Sequence, residues 1–79
     1  MATLEEQVRK VFESVAPLPD DATMSTEIST LNLDSLDLVE LIQSCEDEFD
    51  VTIDDDDAER LAKGTLGQLV DHIRELQSQ

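Results

Sequence analysis

Few residues in this chain could do chemistry. There is one histidine, His72, one cysteine, Cys45, a run of aspartates from Asp54 to Asp57, and a serine in the acidic setting Leu33-Asp34-Ser35-Leu36-Asp37. A nucleophilic serine needs a general base and a group that orients that base. No serine here sits in a GxSxG turn, and His72 lies far along the chain from Ser35. Carboxylates beside Ser35 disfavour a developing alkoxide. No residue qualifies as catalytic, and the chain is expected not to be an enzyme. His72 is expected on an exposed or flanking face, without a role.

The aspartate run invites a calcium reading, which the spacing rejects. An EF-hand loop places glycine sixth and glutamate twelfth; counted from Asp54, those positions hold Glu59 and Thr65. No metal site is expected beyond loose divalent binding to the acidic surface. Cys45 cannot form an internal disulfide and falls on an apolar face, so it reads as a small core residue. That leaves Ser35. At a helix start, either Asp34 or Ser35 could serve as an ordinary cap for free backbone N–H groups. The same N–H groups can receive a phosphate, and a serine there is a good acceptor for a phosphodiester if a modifying enzyme supplies the catalytic groups.

The elements that position Ser35 follow from apolar spacing. Leu4, Val8, Val11, Phe12 and Val15 predict a first helix from about residue 4 to 15, with Thr3 and Glu6 as a capping box. Pro17 and Pro19 end it. Residues 16–33 form a long connection whose Met24, Ile28, Leu31 and Leu33 are expected to anchor it across the protein. A second helix starts near Asp34–Ser35 and ends near Phe49. Its core face is Leu38, Leu41, Ile42, Cys45 and Phe49; its outer face is Leu36, Glu40, Gln43 and Asp47. A short third helix is expected at the aspartate run, with Ala58, Leu61 and Ala62 inward and Gly64 at its C-terminus. A fourth runs from about residue 66 to 76, capped by Thr65 with Gln68; Gly67 in its first turn leaves room for close packing. The fold class is all-α: a small four-helix bundle of three main helices and one short one, with a long loop between helices 1 and 2.

Size and charge bound the function. The 79 residues allow one domain, 1–79, and a core of aliphatic side chains with only Phe12 and Phe49 aromatic. Twenty acidic residues against five basic ones give a formal net charge of −15. Such a chain repels nucleic acid and anionic membranes and attracts proteins with basic patches. No apolar run is long enough for a membrane span or a signal peptide. The chain is therefore expected to be a complete, monomeric, cytoplasmic protein without stable membrane insertion.

Asp34-Ser35-Leu36-Asp37-Leu38-Val39-Glu40-Leu41 resembles the phosphopantetheine attachment signature of acyl carrier proteins. The resemblance continues through Glu46-Asp47-Glu48-Phe49-Asp50-Val51, through Asp55 to Glu59, and through Thr65 to Ile73. It implies a four-helix bundle with 4′-phosphopantetheine from coenzyme A esterified to Ser35. It also implies that Asp34, Asp37, Glu40, Glu46 and Asp47 meet basic patches on partner enzymes, with Leu36 on an apolar spot beside them. Gln43 shares the outer face. The partners implied are a phosphopantetheinyl transferase and acyl-loading and acyl-processing enzymes of fatty-acid, polyketide or a related specialised biosynthesis. Apolar residues between the helices would line a cavity for the acyl chain. The sequence departs from the family's common pattern at Asn32, often glycine; at Gln43, often apolar; and at Asp54, often proline. Asparagine tolerates left-handed backbone geometry, so the turn at Asn32 is expected to survive. Charge alone also admits a small acidic module that binds a basic protein with no prosthetic group.

Overall fold

The computed structural model describes residues 3–78. It is an all-α bundle of four helices: α1 Leu4–Val15, α2 Ser35–Phe49, α3 Asp55–Ala62 and α4 Leu66–Gln77. The 16–33 connection contains a single 3-10 turn at Ile28–Leu31.

α1, α2 and α4 form where apolar spacing and a capping residue coincide, while Asp54 before α3 makes no side-chain cap. In α1, Val8, Val11 and Phe12 are buried, and the Thr3 hydroxyl accepts from the Glu6 N–H at 3.2 Å. Only this forward half of the expected capping box forms. At α4 both halves form: Thr65 Oγ1 accepts from the Gln68 N–H, and Gln68 Oε1 accepts from the Thr65 N–H at 2.8 Å. The core joins Phe12 and Phe49 to Leu41, Cys45, Leu61, Leu66, Leu69, Val70 and Ile73. α1 packs mainly on α2 and α4.

The long connection is lashed down by backbone atoms. Ile28 N–H donates to the Gly64 carbonyl, Leu66 N–H to Thr26, and Gly67 N–H to Met24, at 2.8–3.0 Å. Ile28 is buried, while Met24, Leu31 and Leu33 are half-buried against the core. At the other end of the connection, the Arg9 guanidinium donates to the carbonyls of Ala22, Pro19 and Asp20 at 3.0–3.4 Å. Asn32 closes the 3-10 turn at φ 59°, ψ 36°, the left-handed geometry that its side chain tolerates. Asp50 ends α2 in the same region, at φ 53°.

Two glycines need space rather than freedom. Gly64 stands just past the C-terminus of α3, as expected, but without positive φ, and Lys63 ends the helix in right-handed geometry. A Cβ on Gly64 would instead strike the Gln68 side chain that completes the α4 cap. At Gly67 a Cβ would lie 2.9 Å from the Met24 carbonyl oxygen, so the small residue admits the connection's backbone, as expected.

Arg9 gathers three loop carbonyls with one side chain, so Arg9→Ala is expected to cost ~1–2 kcal/mol in urea unfolding. Arg9→Lys should recover little of this, because one ammonium cannot span all three acceptors. Full stability in the lysine variant would show that charge, not the fork, holds the loop.

Candidate functional site

Ser35 is the first residue of α2, and Asp34 is its N-cap. Asp34 Oδ1 accepts from the Asp37 N–H at 2.8 Å. Of the two residues able to cap this helix, the aspartate does so. Ser35 is exposed, and its hydroxyl has no hydrogen-bond partner among the described residues. Leu36 is 67% exposed and Val39 50%, so two apolar side chains flank the serine on the solvent side. Leu36 was legible as an exposed residue; Val39 was assigned to neither face of the helix. The Leu36/Val39 step of three was the available signal, since residues three apart share a helix face.

The outer face of α2 is as expected: Glu40, Gln43 and Asp47 are exposed. Asp37 and Glu46 are half-buried. Glu46 differs from a free surface carboxylate, because its Oε2 accepts from the Ile53 N–H at 2.8 Å and ties the end of α2 to the segment before α3. Ion pairs involve Arg9, Arg60, Lys63 and Arg74 with acids of α1, α3 and α4. Among the described residues, no carboxylate of α2 is in an ion pair. Glu46, Asp47 and Glu48 also stand in the last turn, where the macrodipole disfavours negative charge. The helix thus holds an uncompensated negative face at some cost to its own stability.

Between α2 and α3 lies a cleft of about 280 Å³, open along one side. Leu38, Val39, Ile42, Ile53, Ala58 and Ala62 supply its apolar lining, with Gln43, Glu46, Asp55 and Glu59 completing it. Leu38 and Ile42, expected in the core, are half-buried because they face this cleft.

The remaining chemical candidates stand apart from Ser35. His72 is more enclosed than expected: its side chain is 14% exposed, and Nε2 is shut off from solvent 3.7 Å from Asp57 Oδ2, with no hydrogen bond. Asp57 lies on the inner flank of the short α3, which brings it over α4. Burial, with a smaller contribution from Glu46, raises the Cys45 thiol from its ordinary 9.0 to about 12. Among the described residues no three acid, histidine or cysteine side chains converge as a metal site. No described helix is long and apolar enough to cross a membrane.

The family model for the phosphopantetheine attachment site matches residues 6–73. The chain belongs to this family. Family members are acyl and peptidyl carrier proteins, non-catalytic domains that bear covalent 4′-phosphopantetheine and work with transferases and synthases. The geometry fits such a group. A phosphopantetheine domain needs an exposed hydroxyl with room for a phosphodiester, and the start of α2 offers one. The Ser35 and Leu36 N–H groups precede the first intrahelical donor, and a 15-residue helix directs its positive end there, offsetting the nearby carboxylates.

Because Asp34 caps the helix and Ser35 does not, Asp34→Ala is expected to lose ~1 kcal/mol in chemical denaturation. Ser35→Ala should change stability little. A reversed order would assign the cap to Ser35.

The Cys45 thiol should resist a disulfide reagent at pH 8 until the chain unfolds. Its raised folded value also sets a sign for alkaline pH. Below pH 9.0 the thiol stays protonated whether the chain is folded or not. Between there and about 12 only the unfolded chain readily releases the proton. In that window stability falls as pH rises, by at most roughly 1.4 kcal/mol per pH unit. Cys45→Ala should flatten this slope in unfolding titrations.

Proposed function

We propose that this chain is an acyl carrier protein whose Ser35 bears the arm. The 1–79 chain acts as one carrier domain, and acyl intermediates ride as thioesters on the terminal thiol. The observation that carries this reading is the Ser35 hydroxyl, exposed and unengaged at the head of α2 while Asp34 holds the cap. In the modification, Ser35 Oγ forms a bond to the pantetheine-side phosphorus of the coenzyme A diphosphate. The bond from that phosphorus to the bridging oxygen breaks, adenosine 3′,5′-bisphosphate leaves, and the hydroxyl proton passes to a base of the transferase. The domain has no catalytic role in this step.

The unpaired carboxylates of α2 support docking on basic patches, with Asp34, Asp37, Glu40 and Asp47 as the charged contacts, Gln43 beside them and Leu36 as the apolar one. Glu46 contributes through its second oxygen. Electrostatic complementarity of this kind raises encounter rates and weakens with salt. The partners are a phosphopantetheinyl transferase and the enzymes that load and process the acyl group, in fatty-acid, polyketide or a related specialised biosynthesis. The carrier is a cytoplasmic monomer.

Intact mass after incubation with coenzyme A and a broad-specificity phosphopantetheinyl transferase tests the reading. One phosphopantetheine addition is expected on the wild type, and none on a folded Ser35→Ala variant. A folded wild type that takes no arm would leave an acidic protein-binding module, for which the unpaired α2 carboxylates also speak.

A further inference from the structure

The cleft beside α2 is bounded at one end by the segment that joins α2 to α3. α3 begins only five residues after α2 stops, so the 50–54 connector spans the gap between the helices at the Phe49 end. Glu46 reinforces that end. Its Oε2 takes the Ile53 N–H at 2.8 Å, and both residues line the cleft. Ser35 lies at the opposite end of α2, eleven residues from Glu46 and therefore ~16 Å away along the axis. Leu38 and Val39, one turn from Ser35, also line the cleft. A chain entering from the Ser35 end passes the apolar side chains first, then the Gln43 amide, and then meets the tied carboxylate.

We infer that Glu46 sets the length of acyl group this carrier can shelter, restricting the cleft to short and medium chains. The inference rests on the carrier reading and deepens it by naming the cargo class. Volume sets the scale: a cavity near 150 Å³ holds a benzene ring, so the available space takes roughly ten heavy atoms, or about eight acyl carbons with the thioester. A longer chain must either remain in water or displace Glu46 from the connector. Displacement leaves the N–H of buried Ile53 without an acceptor, a penalty greater than the gain from one further methylene. Gln43 works in the same direction, since its amide interrupts the apolar lining where a longer chain would continue.

The test uses the full chain, loaded by the transferase with coenzyme A thioesters of saturated acids from about four to fourteen carbons, with mass confirming each product. The readout is the Tm of each acyl form minus that of the unacylated, arm-bearing form of the same variant. In the wild type this difference should climb with length to roughly eight carbons and then level. Glu46→Ala should shift the levelling point to longer chains, and Glu46→Gln, which keeps an acceptor, should not. Glu46→Met, which keeps the volume without the acceptor, should behave as the alanine variant does and serves if that one fails to fold. A wild-type difference that climbs through the longest chain overturns the inference, as does a levelling point that ignores both Glu46→Ala and Glu46→Met. Either result leaves the carrier reading intact. Failure of Ser35 to take any arm removes the carrier reading and the length limit together.

Discussion

The backbone hydrogen bonds between residues 24–28 and 64–67 fix where everything else can go. They hold the long connection against the start of α4, seat Ile28 in the core and bring the chain to Asn32, whose left-handed turn delivers Asp34 and Ser35 at the head of α2. Without that lashing, eighteen residues of connection would let α2 start in many places. Gly67 is the concession the bundle makes to it, since the Met24 carbonyl occupies the space a side chain would need.

Much of this was legible in the sequence because it is local. The stripes Val8-Val11-Phe12 and Leu66-Leu69-Val70-Ile73 repeat at helical spacing, and the Thr65/Gln68 box announces itself within four residues. The serine at the head of the second helix and the acidic outer face were legible for the same reason. What escaped depends on contacts between segments distant in sequence. The 3-10 turn at Ile28–Leu31 is held by the α4 start, and His72 is enclosed because α3 brings Asp57 over it. Glu46 read as one more surface acid, since nothing in its own neighbourhood reveals that the Ile53 N–H lacks a helical partner. Gly64 was legible as a helix end, but not the room it leaves for the Gln68 cap on the next helix.

Charge is distributed with a bias that stability alone does not explain. Arg9, Arg60, Lys63 and Arg74 pair with acids on α1, α3 and α4, while α2 keeps its carboxylates uncompensated, several of them against its own dipole. The cost is offset by the core face of the same helix, where Leu41, Cys45 and Phe49 are buried. On the open flank, Leu38 and Ile42 pack against the core and line the cleft as well, so one helix serves the bundle, the solvent and a cavity from three sides.

The division of labour between Asp34 and Ser35 has a consequence for how such a protein is recognised. On the proposed reading, the group that holds the helix start, Asp34, and the group that accepts the arm, Ser35, are different side chains. Esterifying the serine therefore takes nothing from the fold's own hydrogen bonding. On that reading the arm is added at the helix start without removing the cap that holds it, so a factor that senses only a lost cap would not tell the two forms apart. Discrimination falls to enzymes that read the arm itself, and an inactive carrier can persist as a well-folded competitor for the surfaces its active form must reach.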